Sequence, residues 1–181
     1  MSAFPTLQSK RIKIASLSVD DAVEFHRYRA DKSTNKFLSF EPESIDQTSD
    51  FLKQQPKKFN QTGTWFQLGV YLEAQLIGDI GLHFVDDQQV EIGYTLNPAF
   101  RGAGYMQEAL RLVISHLLKK LNKHRIFASV DPENTPSIKL LYKLGFRKEA
   151  HHVKSLWFKG QWVDDLIFAI LKEEKTKGLK K

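Results

Sequence analysis

The sequence predicts an α/β chain: a single mixed, mostly antiparallel central sheet of about seven strands, with helices on both faces. Three observations carry this reading. Apolar residues alternate with period two across residues 64–96, interrupted by short polar turns. The period then lengthens to 3.6 over Met106, Leu110, Val113, Leu117 and Leu121, with Ala109, Ile114 and Leu118 widening the stripe. From there strand and helix signals alternate to the end of the patterned region, so helices must cover the faces of one sheet.

Taken in order, Lys10 to Ser16 reads as a short strand with Ile12 and Ile14 on one face. Ser18, with Asp21 three residues on, has the spacing of a capping box, and Ala22, Val23, Phe25 and His26 supply the inner stripe of a first helix. Ser44 with Gln47 repeats the box for a second helix ending near Pro56, in which Ile45, Thr48, Phe51, Leu52 and Gln55 share a face. Thr64–Leu72, Gln75–Val85 and Gln89–Leu96 form an antiparallel meander. After the long helix, Arg125–Val130 is a short apolar strand. Thr135 is the expected N-cap of the next helix and Pro136 suits its first turn. Ile138, Leu141 and Leu144 face the core, and Gly145 ends this helix as a left-handed cap. His151–Phe158 and Trp162–Leu171 make a closing hairpin about Lys159–Gly160, and the tail beyond is expected to fray. The strand–helix–strand unit around the long helix should be parallel and right-handed.

Composition narrows the setting. A chain of 181 residues with 41% hydrophobic and 27% charged residues is most simply one soluble domain, its core spanning about residues 10–171. With no cysteine there is no disulfide and no thiolate metal site, which fits a reducing compartment. No apolar run reaches the roughly 20 residues of a membrane span, and the first residues lack a signal-peptide core, so a cytoplasmic location without membrane attachment is expected. The net charge of +6 raises a nucleic-acid reading, but half of it sits in the tail from Lys172 to Lys181, where five lysines face two glutamates. A solvated tail is the simpler account, and nucleic acid is not an expected partner.

The stretch Asn97–Leu110, NPAFRGAGYMQEAL, holds the strongest chemical signal. A glycine-bearing loop that opens a helix presents unpaired N–H groups and the positive end of the helix dipole, which together hold a phosphate. Gly102 and Gly104 let the backbone approach a ligand closely, and Arg101 adds a permanent cation. A Walker A loop would end in Gly-Lys-Ser/Thr, whereas this one continues Gly-Tyr-Met-Gln, and a dinucleotide fingerprint would need a third glycine near Glu108. On spacing alone, glycines that merely shape a strand–helix turn explain the loop equally well.

The order of elements, EIGYTLNPAFRGAGYMQEAL and the later PENTPSIKLLYKLGF together resemble the GNAT superfamily of acetyl-CoA-dependent N-acetyltransferases. The likeness is greatest to the Rim-type branch (RimJ/RimL-like), which includes enzymes that acetylate ribosomal-protein N-termini. It extends from about Ile12 to about Leu171 and includes the hairpin turn Lys159-Gly160-Gln161-Trp162-Val163-Asp164. Each motif is weak singly; in order and at family spacing they are strong.

The resemblance implies acetyl-CoA as co-substrate, no metal, and an amine acceptor, first a ribosomal protein N-terminus of the serine or alanine type; the alternatives are a small-molecule amine (amino acid, polyamine or antibiotic) and a non-catalytic acetyl-CoA-binding module with no acceptor. It implies a pyrophosphate site at Arg101, Gly102, Ala103, Gly104, Tyr105 and Met106. Met106 departs from the family's Gly or Ala and is expected to turn into the core. Leu96 and its neighbours would pair through their backbones with the pantetheine amides, and Asn134 and Ser137 match family positions that contact the same arm, with plain helix capping as the competing role. Tyr142 matches the tyrosine that in many superfamily members protonates the departing thiolate; packing of its ring is the competing role. For the base, Glu91 is the first candidate, on the strand face opposite Val90, Ile92 and Tyr94. His83, His151 and His152 are rivals because imidazole titrates near neutrality, and a reaction without a dedicated base stays open. Phe37, Phe40, Trp65 and Trp157 are candidates for lining the acceptor cleft, with a place in the core as the default reading. An exposed edge in the closing hairpin is compatible with a monomer or a homodimer.

Overall fold

The computed structural model describes residues 4–177. Eight strands form one sheet in the order β1-β2-β3-β4-β5-β6-β8-β7. They are β1 (Leu7–Gln8), β2 (Ile12–Ser16), β3 (Thr64–Leu72), β4 (Gln75–Phe84), β5 (Gln89–Leu96), β6 (Arg125–Val130), β7 (Arg147–Phe158) and β8 (Gln161–Leu171). The helices are α1 (Ala22–Arg29), α2 (Lys32–Asn35), α3 (Ile45–Lys53), α4 (Tyr105–Lys119), α5 (Thr135–Leu144) and α6 (Lys172–Lys177). Of the neighbouring strand pairs, β5 and β6 alone run parallel, joined by the α4 crossover. The mixed sheet and the meander are as the sequence predicts.

One face carries the larger core. Met106, Ala109, Leu110, Val113, Ile114, Leu117 and Leu118 of α4 are buried at helical spacing. They meet the even-numbered residues of the central strands, Ile80 and Leu82 of β4 and Val90 and Ile92 of β5, all in one contiguous cluster. The opposite face is covered at one end by α1 and α3, where Ala22, Phe25, Tyr28 and Leu52 pack with Tyr71 and Leu76. A bulge between Val70 and Tyr71 lets the end of the hairpin change face there.

The differences from the sequence reading are local. β1 adds a two-residue strand paired to β2, and the strand expected from Lys10 begins at Ile12, because Ser9 to Arg11 make the turn between them. Helix α2 was not foreseen; Asp31 caps it, accepting from the Thr34 N–H. Ser18 and Asp21 do pair, the carboxylate accepting from the Ser18 N–H at 2.8 Å, but they open a single 3-10 turn ahead of α1. That shift of phase leaves Val23 51% exposed and buries Tyr28 and Arg29 instead. Ile45 likewise faces out, α3 being anchored by Thr48 and Leu52. Asn134, not Thr135, caps α5, and β7 begins at Arg147 rather than His151. Lys172–Lys177 continue as helix where fraying was expected, and the last four residues of the tail lie outside the described residues.

Under α1 lies a buried ion pair. Arg29 Nη2 sits 2.6 Å from Asp79 Oδ2, and the Tyr28 hydroxyl donates to Asp79 Oδ1 at 2.8 Å. Asp79 has no solvent exposure and Arg29 is 6% exposed. Such a pair contributes little net stability over apolar residues of the same shape, yet breaking it is costly. Asp79→Ala leaves the guanidinium buried without its partner, and urea denaturation is expected to show a loss of about 3–5 kcal/mol. Burial, then Asp79, holds the Tyr28 phenol well above its ordinary value, and burial with Asp21 does the same for Tyr71. A raised folded value means full stability below about pH 10, where unfolded tyrosine titrates, and a decline above it. Tyr28→Phe is expected to flatten that alkaline decline by about one proton in the slope, read from urea midpoints across the range.

Candidate functional site

The parallel pairing of β5 and β6 stops early. Gln89 faces Arg125, Val90 faces Ile126 and Glu91 faces Phe127; beyond that rung both strands continue, to Leu96 and Val130, without pairing. Each is held on its outer side, β5 by β4 as far as Leu96 and β6 by β8 as far as Val130. The sheet therefore opens into a gap whose two edges carry backbone N–H and C=O groups directed at each other but not joined. An extended ligand with amides of its own can pair with such an edge. Leu96 lies at the end of the β5 edge, partly buried.

A hydroxyl pair spans from β5 to α5 beside this gap. The Tyr94 and Ser137 hydroxyls share a hydrogen bond of 2.7 Å, and Asn134 Oδ1 accepts from the Ser137 N–H at 3.3 Å. Asn134 thus performs the capping role, while Ser137 is tied to a residue that sequence reasoning treated only as part of a strand. Burial pushes the Tyr94 phenol up to about 12, so it stays a proton donor at any physiological pH.

At the far end of β5, Asn97 Oδ1 caps a 3-10 turn at Pro98–Phe100 and the chain enters the glycine loop. Gly102 and Gly104 adopt φ of 83° and 80°, the left-handed conformation in which other residues are strained. A Cβ built on Gly102 would meet no atom within 4 Å, and one on Gly104 only Arg11 Nη2 at 3.8 Å, so both would project into the open space before the loop. Glu108 is the first residue of α4 whose N–H finds a helical acceptor, the Gly104 carbonyl at 3.0 Å. Among the described residues the N–H groups of residues 102–107 donate to nothing. Successive free amides around two left-handed glycines, at a helix N-terminus, make a cradle suited to an anion. Met106 is buried in the core, 5% exposed, as expected. Tyr105 packs partly against the same core. Arg101 is exposed at the loop's edge, where Nε donates to the Leu96 carbonyl at 3.3 Å and Nη2 to Thr34 Oγ1 at 3.1 Å, bracing the loop against β5 and α2.

The titratable candidates divide between the faces. Glu91, Gly93 and Thr95 alternate onto the face where α1 covers Asp79, and Arg29 reaches Thr95 Oγ1 at 3.5 Å. Glu91 Oε2 lies 3.2 Å from His83 Nδ1, and His83 stacks flat on Trp65 with centroids 4.9 Å apart. Two rival bases are therefore one contact pair, and Trp65, expected in the core, is 44% exposed beside it. A Cβ on Gly93 would meet nothing within 4 Å, so the floor between Glu91 and Thr95 is open. Across the gap, Ser129 donates to Asp165 Oδ1 at 2.6 Å. His151 is occupied by Asp164 at 2.6 Å on the hairpin, and His152 pairs in register with Asp165. Tyr142 lies on the other face, on α5, 54% exposed, with its ring edge against Phe168 at 5.2 Å. Trp157 is also exposed, packed on Trp162 at the end of the hairpin.

Comparison with known proteins fits this geometry. Residues 11–147 match the family model described as an acetyltransferase (GNAT) domain. An uncharacterized N-acetyltransferase of Bacillus licheniformis is 31% identical over 173 residues, covering 93% of this chain and 97% of its own. The [ribosomal protein uS5]-alanine N-acetyltransferase of Escherichia coli is 31% identical over 126 residues, 67% of this chain and 65% of that one. Among solved structures, a GNAT-family acetyltransferase from Bacillus anthracis superposes with a TM-score of 0.83 at 28% identity, covering 93% of this chain and 99% of that one. The fold, the glycine loop and the family match agree: this chain belongs to the GNAT family of N-acetyltransferases.

Proposed function

We propose that the chain transfers acetyl from acetyl-CoA to a protein N-terminal amine, of the alanine or serine type met in ribosomal proteins. The observation that carries the cofactor half of this reading is the run of unpartnered amides at residues 102–107, beside the unpaired edges of β5 and β6. The residues fit the cofactor: free N–H groups for the pyrophosphate, and a strand edge ending at Leu96 for the amides of the pantetheine arm. Bound acetyl-CoA supplies a thioester carbonyl for the amine to attack and a thiolate that leaves.

In this reading Gly102, Ala103, Gly104, Tyr105 and Met106 act through their backbones, while Arg101 holds the loop in place. Tyr94 and Ser137 brace the gap, and Asn134 fixes Ser137 by capping α5. On the α1 side Glu91, with His83 beside it, takes the ammonium proton directly or through one water. On the α5 side Tyr142 gives its phenolic proton to the departing sulfur. A β5 N–H directed into the gap stabilises the oxyanion.

Support for a polypeptide acceptor comes from two directions. The uS5-alanine enzyme is a 31% identical relative. On the α1 side the Gly93 floor is open, and the β7–β8 hairpin, which touches α2 through Lys159 Nζ on the Asn35 carbonyl at 2.7 Å, displays exposed Leu156, Trp157 and Trp162. Such a surface suits a chain that continues beyond its first residue better than a compact polyamine.

The test is thiol release from acetyl-CoA with ribosomal N-terminal peptides, free amino acids, polyamines and aminoglycosides. Turnover is expected with peptides beginning in Ala or Ser; a preference for free amines in kcat/KM would replace this acceptor assignment. Gly104→Val, strained at its left-handed position and projecting into the cradle, is expected to weaken CoA binding by roughly tenfold or more, beside a fall of several degrees in melting temperature with the fold retained by circular dichroism. Tyr142→Phe is expected to lower kcat about 10²-fold without changing the Kd for CoA. Glu91→Gln should remove the acidic limb of the pH–rate profile, and a limb that instead disappears in His83→Ala would give the base to the imidazole.

A further inference from the structure

The turn between β1 and β2 reaches across to the start of α4. Arg11 Nε donates to Glu108 Oε2 at 2.7 Å, and its Nη2 pairs with the same oxygen. Its Nη1 donates to the Ala103 carbonyl at 3.1 Å, in the middle of the glycine loop. The guanidinium lies over the Tyr105 ring, 4.8 Å from the centroid, and the Ser9 hydroxyl donates to the other Glu108 oxygen. One short turn thus binds residues 103, 105 and 108, all of which belong to the proposed pyrophosphate site or its first helical turns.

Glu108 needs a partner there for an electrostatic reason. A carboxylate in the first turns of a helix is drawn to the positive end of the dipole. The ligand of this loop is also an anion and uses the same field, so an uncompensated Glu108 would oppose its binding. Arg11 supplies the compensation. Its side chain is 45% exposed and that of Glu108 is 23% exposed, so the pair lies near the surface, where it contributes little to folding but remains close enough to act on a bound charge.

Resting on the acetyl-CoA reading of the glycine loop, we infer that Arg11 is a positioning residue for the pyrophosphate: it cancels the Glu108 carboxylate and leaves the amides of residues 102–107 unopposed. Arg11 does not touch the reacting atoms, so its effect falls on cofactor binding and not on the chemical step.

Calorimetric titration with CoA, beside steady-state kinetics with acetyl-CoA, tests this. Arg11→Met is expected to raise the Kd for CoA and the KM for acetyl-CoA about tenfold with kcat unchanged, and the deficit should shrink as sodium chloride is raised. Glu108→Gln alone should stay within about twofold of the parent, and the double variant Arg11→Met/Glu108→Gln should recover to that level. Arg11→Lys, which keeps a cation for Glu108, should fall within about threefold. A double variant as weak as Arg11→Met, or an Arg11→Met with parental affinity, overturns the inference. Gly104→Val separates the two readings: if it weakens CoA binding while Arg11→Met does not, only the role of Arg11 fails, and if neither does, the loop itself is misassigned.

Discussion

The architecture depends on where the β5–β6 pairing ends. A parallel pair made through a helical crossover could have continued for the full length of both strands, burying every backbone group in ladder hydrogen bonds. Here it stops after Glu91 and Phe127. The flanking pairs are unbroken there: β5 stays with β4 to its end and β6 stays with β8, so only the two inner edges are left unpaired. Backbone donors and acceptors left without partners are costly when buried. In the proposed reading the amide-bearing arm of the cofactor would meet those edges in place of a neighbouring strand. The end of β5 runs directly into the turn that enters the glycine loop, so the proposed cradle is continuous with the free edge.

A gap in a sheet also connects its two faces. The larger core with α4 and α5 occupies one side; α1 and the polar row of Glu91, Gly93 and Thr95 occupy the other. In the proposed mechanism the proton acceptor and the proton donor stand on opposite faces, so that one would serve the attacking nitrogen and the other the departing sulfur without competing for the same position. The hydroxyl pair of Tyr94 and Ser137 ties β5 to α5 on the larger-core side.

Much of this was legible in the residues. Period-two alternation over 64–96 and the helical stripe from Met106 located the meander and α4 within a residue or two, because both bury one face against a large core and tolerate no slip. The glycine loop was legible for a local reason as well: two left-handed positions require glycine. What escaped detection was non-local or lay at polar ends. Arg11 and Glu108 are 97 positions apart, and nothing in either neighbourhood announces the pair. Tyr94 and Ser137 meet because β5 and α5 converge, which spacing along the chain does not encode. The end of the parallel register has no hydrophobic signature, since β5 alternates in the same way before and after Glu91. Around α1 the capping-box residues were correctly paired, but the 3-10 turn they introduce rotated the helix, and the inner stripe moved from Val23 to Tyr28 and Arg29.

Arginine usage at the loop shows how an anion site can avoid relying on free cations. A glycine loop with Arg101 at its edge invites the picture of a guanidinium reaching for phosphate, yet that side chain is taken up by Leu96 and Thr34, and Arg11 by Glu108 and Ala103. Both act as struts: they satisfy carbonyl, hydroxyl and carboxylate acceptors that would otherwise face the ligand or leave the loop unanchored. In the proposed reading the binding groups proper would be backbone N–H donors, whose directions are set by two left-handed glycines and the start of α4. Rigid donors pay less ordering entropy on binding than long side chains do. On that proposal the loop's selectivity would rest on its shape: it would take an anion that can lie against the backbone where Gly102 and Gly104 have no side chains, which a charged side chain alone would not require.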